Sequence, residues 1–232
     1  MATKNRAAFL KWLDDWYAGL KDFDLKKQVQ DPACAAVCSE DLINGFCYEG
    51  NLASPRVGAL VEPVVKLFKD AYALGVRNFI LVQDSHTEHA AEFKSFPPHC
   101  VRGTSEAQTV SALRELPFAG EFFIVKKNSL HPAVDTELNR WLETHQDIDT
   151  FIVVGDCTDL CTYQLAMYIK MRANARDWTR RVIVPANAVD TYDMSVAAAA
   201  KIGAMPHDAD LIHEFFLYHM ALNGIQVVRA IT

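Results

Sequence analysis

No stretch of this chain approaches the roughly 20 consecutive apolar residues that spanning a bilayer needs, so neither a membrane helix nor a membrane partner is expected. The N-terminus lacks the apolar core of a secretory signal and is rich in charged and aromatic residues instead. A basic excess is missing too. The 23 Lys and Arg stand against 29 Asp and Glu, a net charge of −6, which argues against a general nucleic-acid binder. The cysteines at 34, 38, 47, 100, 157 and 161 include no C-x-x-C pair, so a zinc ribbon or thioredoxin-like motif is not expected. Several lie in apolar segments, where a free Cys packs as a small hydrophobe, and reduced thiols in a cytoplasmic protein are the expectation. Internal repeats, low-complexity tracts and domain linkers are also lacking. The 232 residues suffice for one α/β domain with a well-buried core.

What is present is alternation. Continuous apolar runs at 34–42, 78–83, 121–125, 150–154, 181–185 and 225–230 read as strands. Helical periodicity falls at 6–20, 55–74, 105–116, 134–144, 159–173, from 194 onward, and at 208–222. The charged stretch 22–27 reads as a connection. Apolar strands alternating with helices predict an α/β fold: a doubly wound, mostly parallel six-stranded sheet in three layers, with helices on both faces. One domain covers 1–232, with a helical extension over 1–32. The longest irregular stretch is 85–104, and long loops in compact domains are often functional.

Ligands of open parallel sheets bind beyond the carboxyl ends of the strands. The polar residues that end successive strands here are Asp41, then Asp84 with His86 just after, then Lys126 and Lys127, then Gly155 and Asp156, with Cys161 in the first turn of the next helix. One rim thus receives carboxylates, an imidazole, an ammonium and a thiol. A helix N-terminus and a nearby cation lower a thiol's pKa, so Cys161 is expected to be a thiolate-prone nucleophile, its helix capped by Thr158 or Asp159. Lys127 would supply the cation. Asp41 would take the thiol proton and pass it to a leaving amine. Backbone N–H groups around Cys157 and Cys161 would hold the oxyanion.

At these residues the chain resembles the isochorismatase-like cysteine hydrolases, and within them the nicotinamidases, from about Ala33 onward. Asp41-Leu-Ile-Asn-Gly-Phe46 resembles the motif D-x-Q-N-D-F, with Ile43 and Gly45 as departures. Gly155-Asp-Cys-Thr-Asp-Leu-Cys161 resembles G-x-x-T-D-x-C. The resemblance implies Asp41, Lys127 and Cys161 as catalytic residues. It favours Lys127 over Lys126 because Thr136-Glu137-Leu138 keeps the spacing of the family's T-D-L. It also implies a cis peptide before Cys157. Asp84-Ser-His86 resembles the D-x-H metal motif, and Phe96-Pro-Pro-His99-Cys-Val-Arg-Gly-Thr104 resembles W-P-x-H-C-V-x-G-T. Asp84, His86 and His99 would then hold a divalent metal. Zinc suits this set best, and iron or manganese also fit a carboxylate with two imidazoles. His89 and Glu92 are candidates for a further ligand. Phe46 and Phe96 would sandwich a flat ring.

The implied activity is hydrolysis of a small carboxamide, nicotinamide first, to the acid and ammonia. Alternatives are another amide or a carbamoyl or ureido compound, or a catalytically idle binding relative. A homo-oligomer is expected. No role is expected for His213 or His219, and Trp12, Trp16 and Phe9 read as a packing face.

Overall fold

The computed structural model describes residues 2–232. Seven strands form one parallel sheet: β1 Ala35–Glu40, β2 Asn78–Asp84, β3 Phe123–Lys127, β4 Thr150–Asp156, β5 Arg181–Pro185, β6 Val189–Asp190 and β7 Gln226–Val228. The order is β3-β2-β1-β4-β5-β7, with β6 paired to the end of β4. The six expected strands are therefore the six of the main ladder. The two-residue β6 is the addition, too short to register as an apolar run.

The helices are α1 Ala2–Ala18, α2 Leu25–Gln28, α3 Asn44–Cys47, α4 Pro55–Gly58, α5 Val61–Leu74, α6 Ser111–Arg114, α7 Leu138–Thr144, α8 Cys161–Asn174, α9 Val196–Ile202 and α10 Ala209–Leu222. β1 and β4 are buried along their whole length because helices cover both sheet faces. Alternation along the strands splits the core in two. Val37, Phe79, Leu81 and Ile152 pack under α5 through Val64 and Phe68. Cys38, Ile80 and Val153 pack under α7, α8 and α10 through Leu138, Leu165, Ile169 and Leu217. The N-terminal extension lays α1 against α10.

The helix expected over 105–116 shrinks to α6. Residues 106–109 spend their backbone elsewhere: Glu106 and Gln108 carbonyls accept from Gly45 and Asn44, and Thr109 bridges Ile43. Tertiary pairing overrides local helical periodicity there. The expected connection at 22–27 contains α2, capped by the Asp24 side chain on Lys27 N.

From β1 the chain winds outward to β2 and β3, then returns to β4 on the other side of β1. The reversal lies between β1 and β4, where a doubly wound sheet opens a crevice at its carboxyl end.

Candidate active site

The carboxyl ends of β1, β2 and β3 meet on one ammonium. Lys127 Nζ lies 2.7 Å from Asp41 Oδ2, 2.5 Å from Asp84 Oδ1 and 3.5 Å from Cys161 Sγ. Period-two alternation decides between the two lysines: Lys127 points inward and is 1% exposed, while Lys126 points out. Asp41 leaves β1 in the left-handed region, at φ 53. Its second oxygen accepts from Asp84 N at 2.7 Å, which locks the two strand ends together.

Cys161 opens α8 at 4% exposure. The loop before it folds back on itself, with Leu160 and Thr162 donating to the Cys157 carbonyl. The Asp156–Cys157 peptide is cis, at the bond the family resemblance implied. The cap differs from expectation. Leu160 occupies the N-cap position and no side chain caps the helix. Thr158 bonds the His213 ring at 2.9 Å, and Asp159 holds Thr191 and His207 at 2.6 and 2.9 Å. These contacts fasten the loop before Cys161 to the segments beyond β6 and to α10.

The depressed thiol pKa expected from the sequence is also reversed. Burial pushes the Cys161 thiol well above its usual range, and Lys127 pulls only part of the way back against the nearby carboxylates. The helix-terminus effect is real but small, and desolvation of a charge outweighs it. Asp41 moves up as well, to about 6, because burial and the Asp84 charge outweigh the pull of Lys127. Asp84 goes the other way. Burial works against its charge, but Lys127, His86 and His99 together hold its carboxyl well below the usual range.

Asp84 faces two ways. Its Oδ2 lies 3.2 Å from His86 Nε2 and 3.4 Å from His99 Nε2, and one ligand atom from each of the three residues lies within 4.8 Å of the others. The loop brings His99 to His86 by pairing: His86 N donates to the Cys100 carbonyl, and Arg102 N to the His86 carbonyl. Cys100 takes the left-handed region at φ 45, its N–H held by Glu106 Oε2 at 2.8 Å. The other ring nitrogens are engaged outward, His86 Nδ1 with Asn128 Oδ1 at 3.3 Å and His99 Nδ1 with the Pro97 carbonyl at 2.8 Å. Asp84 Oδ2 and His86 Nε2 are buried and have no hydrogen-bond partner among the described residues. Oriented imidazoles with spare nitrogens turned on a spare carboxylate oxygen fit a divalent transition metal. His89 is exposed, and Glu92 spends one oxygen on Leu130 N at 3.1 Å.

Phe46 and Phe96 both stand against His99, with ring centroids 5.6 and 6.4 Å away. Sequence reasoning missed Phe93, which lies 5.3 and 5.5 Å from the His86 and His99 rings. It also missed Asn128, although that residue follows Lys127 directly, and Glu40, although it precedes Asp41. The sequence predicts no role for His213, yet it joins Thr158 to Tyr17 of α1. Its signal was the spacing it shares with the buried positions 209, 217 and 220.

Fold and site together define the class: a doubly wound α/β hydrolase of the isochorismatase-like type. The Isochorismatase domain matches residues 35–215, and the chain belongs to that family. It is 29% identical over 213 residues to Nicotinamidase 1 of Arabidopsis thaliana, covering 83% of this chain and 84% of that protein. It is 29% identical over 171 residues to the nicotinamidase/pyrazinamidase of Mycobacterium tuberculosis, covering 68% and 88%. Among solved structures, the nicotinamidase of Bacillus subtilis superposes with a TM-score of 0.65 at 22% identity, over 84% of this chain and 98% of that one. The fold is that of these proteins. No helix among the described residues is long and apolar enough to cross a membrane.

Proposed function

We propose that the protein hydrolyses nicotinamide to nicotinate and ammonia through a Cys161 thioester. The observation that carries this reading is the double use of Asp84. One carboxylate oxygen binds the Lys127 ammonium beside Cys161, and the other faces His86 and His99. A site that can hold a heteroaromatic ring nitrogen is thereby joined to one that can attack a carboxamide. The nicotinamidase relatives at 29% identity point the same way.

Asp41 accepts the Cys161 proton, and the sulfur attacks the carboxamide carbon. The backbone N–H groups of Cys157 and Cys161 face the developing oxyanion. Asp41 then returns the proton to the departing nitrogen, which leaves as ammonia. Water follows: Asp41 takes its proton, hydroxide adds to the thioester carbon, and the regenerated sulfur recovers the proton. Lys127 keeps Asp41 oriented throughout and offsets the negative charge of the thiolate. Phe46 and Phe96 flank the ring. Asp84, His86 and His99 would hold a divalent metal, which when bound supplies a Lewis-acidic point for the ring nitrogen and so fixes the carboxamide's orientation.

The test is ammonia release from nicotinamide and from benzamide, which has the same shape without the ring nitrogen. Nicotinamide should turn over at least about tenfold faster in kcat/KM, the equivalent of about 1.4 kcal/mol in the transition state. Equal rates would remove the nicotinamide assignment and leave a cysteine hydrolase of another small amide.

A further inference from the structure

Glu40, the last residue of β1, is a carboxyl that the steps above do not use. It is fully buried, and neither of its oxygens has a hydrogen-bond partner among the described residues. Alternation along β1 puts it on the same face as Ala36 and Cys38, toward α8. One oxygen from Glu40, one from Asp41 and the Cys161 sulfur lie within 4.8 Å of one another.

A count of donors defines its state. An ammonium offers three N–H groups. Those of Lys127 have three partners: Asp41 at 2.7 Å, Asp84 at 2.5 Å and the Cys161 sulfur at 3.5 Å. Glu40 Oε1 lies 3.4 Å from Nζ, at ion-pair distance but outside hydrogen-bond geometry, the weakest of the carboxylate contacts to that ammonium. An ionised carboxylate can only accept, and burying one without a donor is far more costly than burying the neutral acid. The neutral acid needs one acceptor for its O–H, and the Asp41 carboxylate and the Cys161 sulfur are both near. The charged and titratable groups that face Glu40 are Cys38 on its own strand, Asp41, Asp84 of β2, Lys127 of β3 and Cys161 of α8, with Asp156 next to the Gly155 that pairs with it on β4. Burial drives the Glu40 carboxyl well above the usual carboxylate range, with Lys127 offsetting this only in part while Asp41 and Asp84 add to it.

We infer that Glu40 is a neutral carboxylic acid whose O–H donates to the Asp41–Cys161 pair, making it a positioning residue for the nucleophile. The pair carries one negative charge whether the proton sits on sulfur or on Asp41. A donor beside both atoms stabilises that charge on either, and no proton leaves Glu40. The inference rests on the cysteine-hydrolase reading and not on the identity of the amide.

The experiment is the pH dependence of Cys161 alkylation by iodoacetamide, read by peptide mass spectrometry on the full chain as purified. Glu40→Gln keeps a neutral donor, so its midpoint should stay within about 0.3 unit of the parent's. Glu40→Met keeps the bulk without the donor. Its midpoint should rise by about one unit, with alkylation below the midpoint about tenfold slower. An unchanged midpoint in Glu40→Met, or a lowered one in Glu40→Gln, would overturn the inference; the second result means that a negative charge had been removed. Should Glu40→Met fail to fold, the infrared difference between parent and Glu40→Gln decides. Loss of a buried protonated-carboxyl band supports the inference, and its absence overturns it. Neither measurement uses an amide, so a failed nicotinamide assay leaves these outcomes intact.

Discussion

Lys127 and Asp84 form the shortest ion pair of the site, at 2.5 Å, and it couples two kinds of chemistry. On one side Lys127 continues to Asp41 and the Cys161 sulfur. On the other Asp84 continues to His86 and His99. Disturbing either partner should therefore be felt on both sides.

Replacing Lys127 by Ala strands two ionised carboxylates in the interior. Removing one partner of a buried pair costs about 3–5 kcal/mol, so urea unfolding should show that loss along with loss of turnover. Lys126→Ala, on the exposed side of the same strand, should stay within about 0.5 kcal/mol of the parent. Equal effects from the two would mean that Lys127 is not the buried centre of charge.

The thiol assignment is tested by pairing Cys161→Ala with Cys157→Ala. The first should abolish ammonia release and leave the unfolding midpoint near the parent's. The second should retain turnover, because the role proposed for Cys157 uses its backbone N–H and not its thiol. An active Cys161→Ala protein would assign the nucleophile elsewhere.

Asp41, with its carboxyl raised to about 6, fixes the sign of the pH response. A base must be unprotonated to accept the thiol proton, so kcat/KM should fall as pH drops through about 6 and level off above it. Asp41→Asn should lose roughly 10²–10⁴ of the rate and the acid limb with it. An acid limb that persists in Asp41→Asn belongs to another group.

Metal content checks the Asp84, His86 and His99 cluster. Plasma mass spectrometry of the purified protein should find about one divalent transition metal per chain, as a three-ligand site implies. His86→Ala and His99→Ala should each lower it. Chelation should raise KM for nicotinamide and leave Cys161 alkylation largely unchanged. A metal-free parent with full activity would dissolve the cluster's assigned role.

Gly155 is held by contact and conformation at once. Its φ is 112, and an added Cβ would run into the Glu40 carbonyl of the neighbouring strand. Gly155→Ala should therefore cost more than about 4 kcal/mol, seen as loss of soluble, cooperatively unfolding protein. A stable alanine variant would show that β1 and β4 can separate at their carboxyl ends.

Much of this protein was legible in its sequence. The apolar runs carried the six main strands, because strands covered on both faces must be apolar throughout, and that pattern needs no tertiary information. The strand ends named Asp41, Asp84, His86 and the pair Lys126 and Lys127, because a parallel sheet gathers those ends on one rim, and the resemblance at 136–138 chose Lys127. The motif at 96–104 added His99. Local signals failed where long-range contacts set the outcome. The segment 105–110 gave up its helix to pair with 43–45. Thr158 and Asp159 left the helix end for His213 and His207, residues about 50 positions away. The Cys161 thiol, which a helix terminus and a lysine should acidify, is pushed the other way by burial. Solvent exclusion and the number of carboxylates sharing one ammonium belong to the assembled interior. Spacing along the chain names the groups that meet, while their charge states depend on how many donors remain once they are packed together.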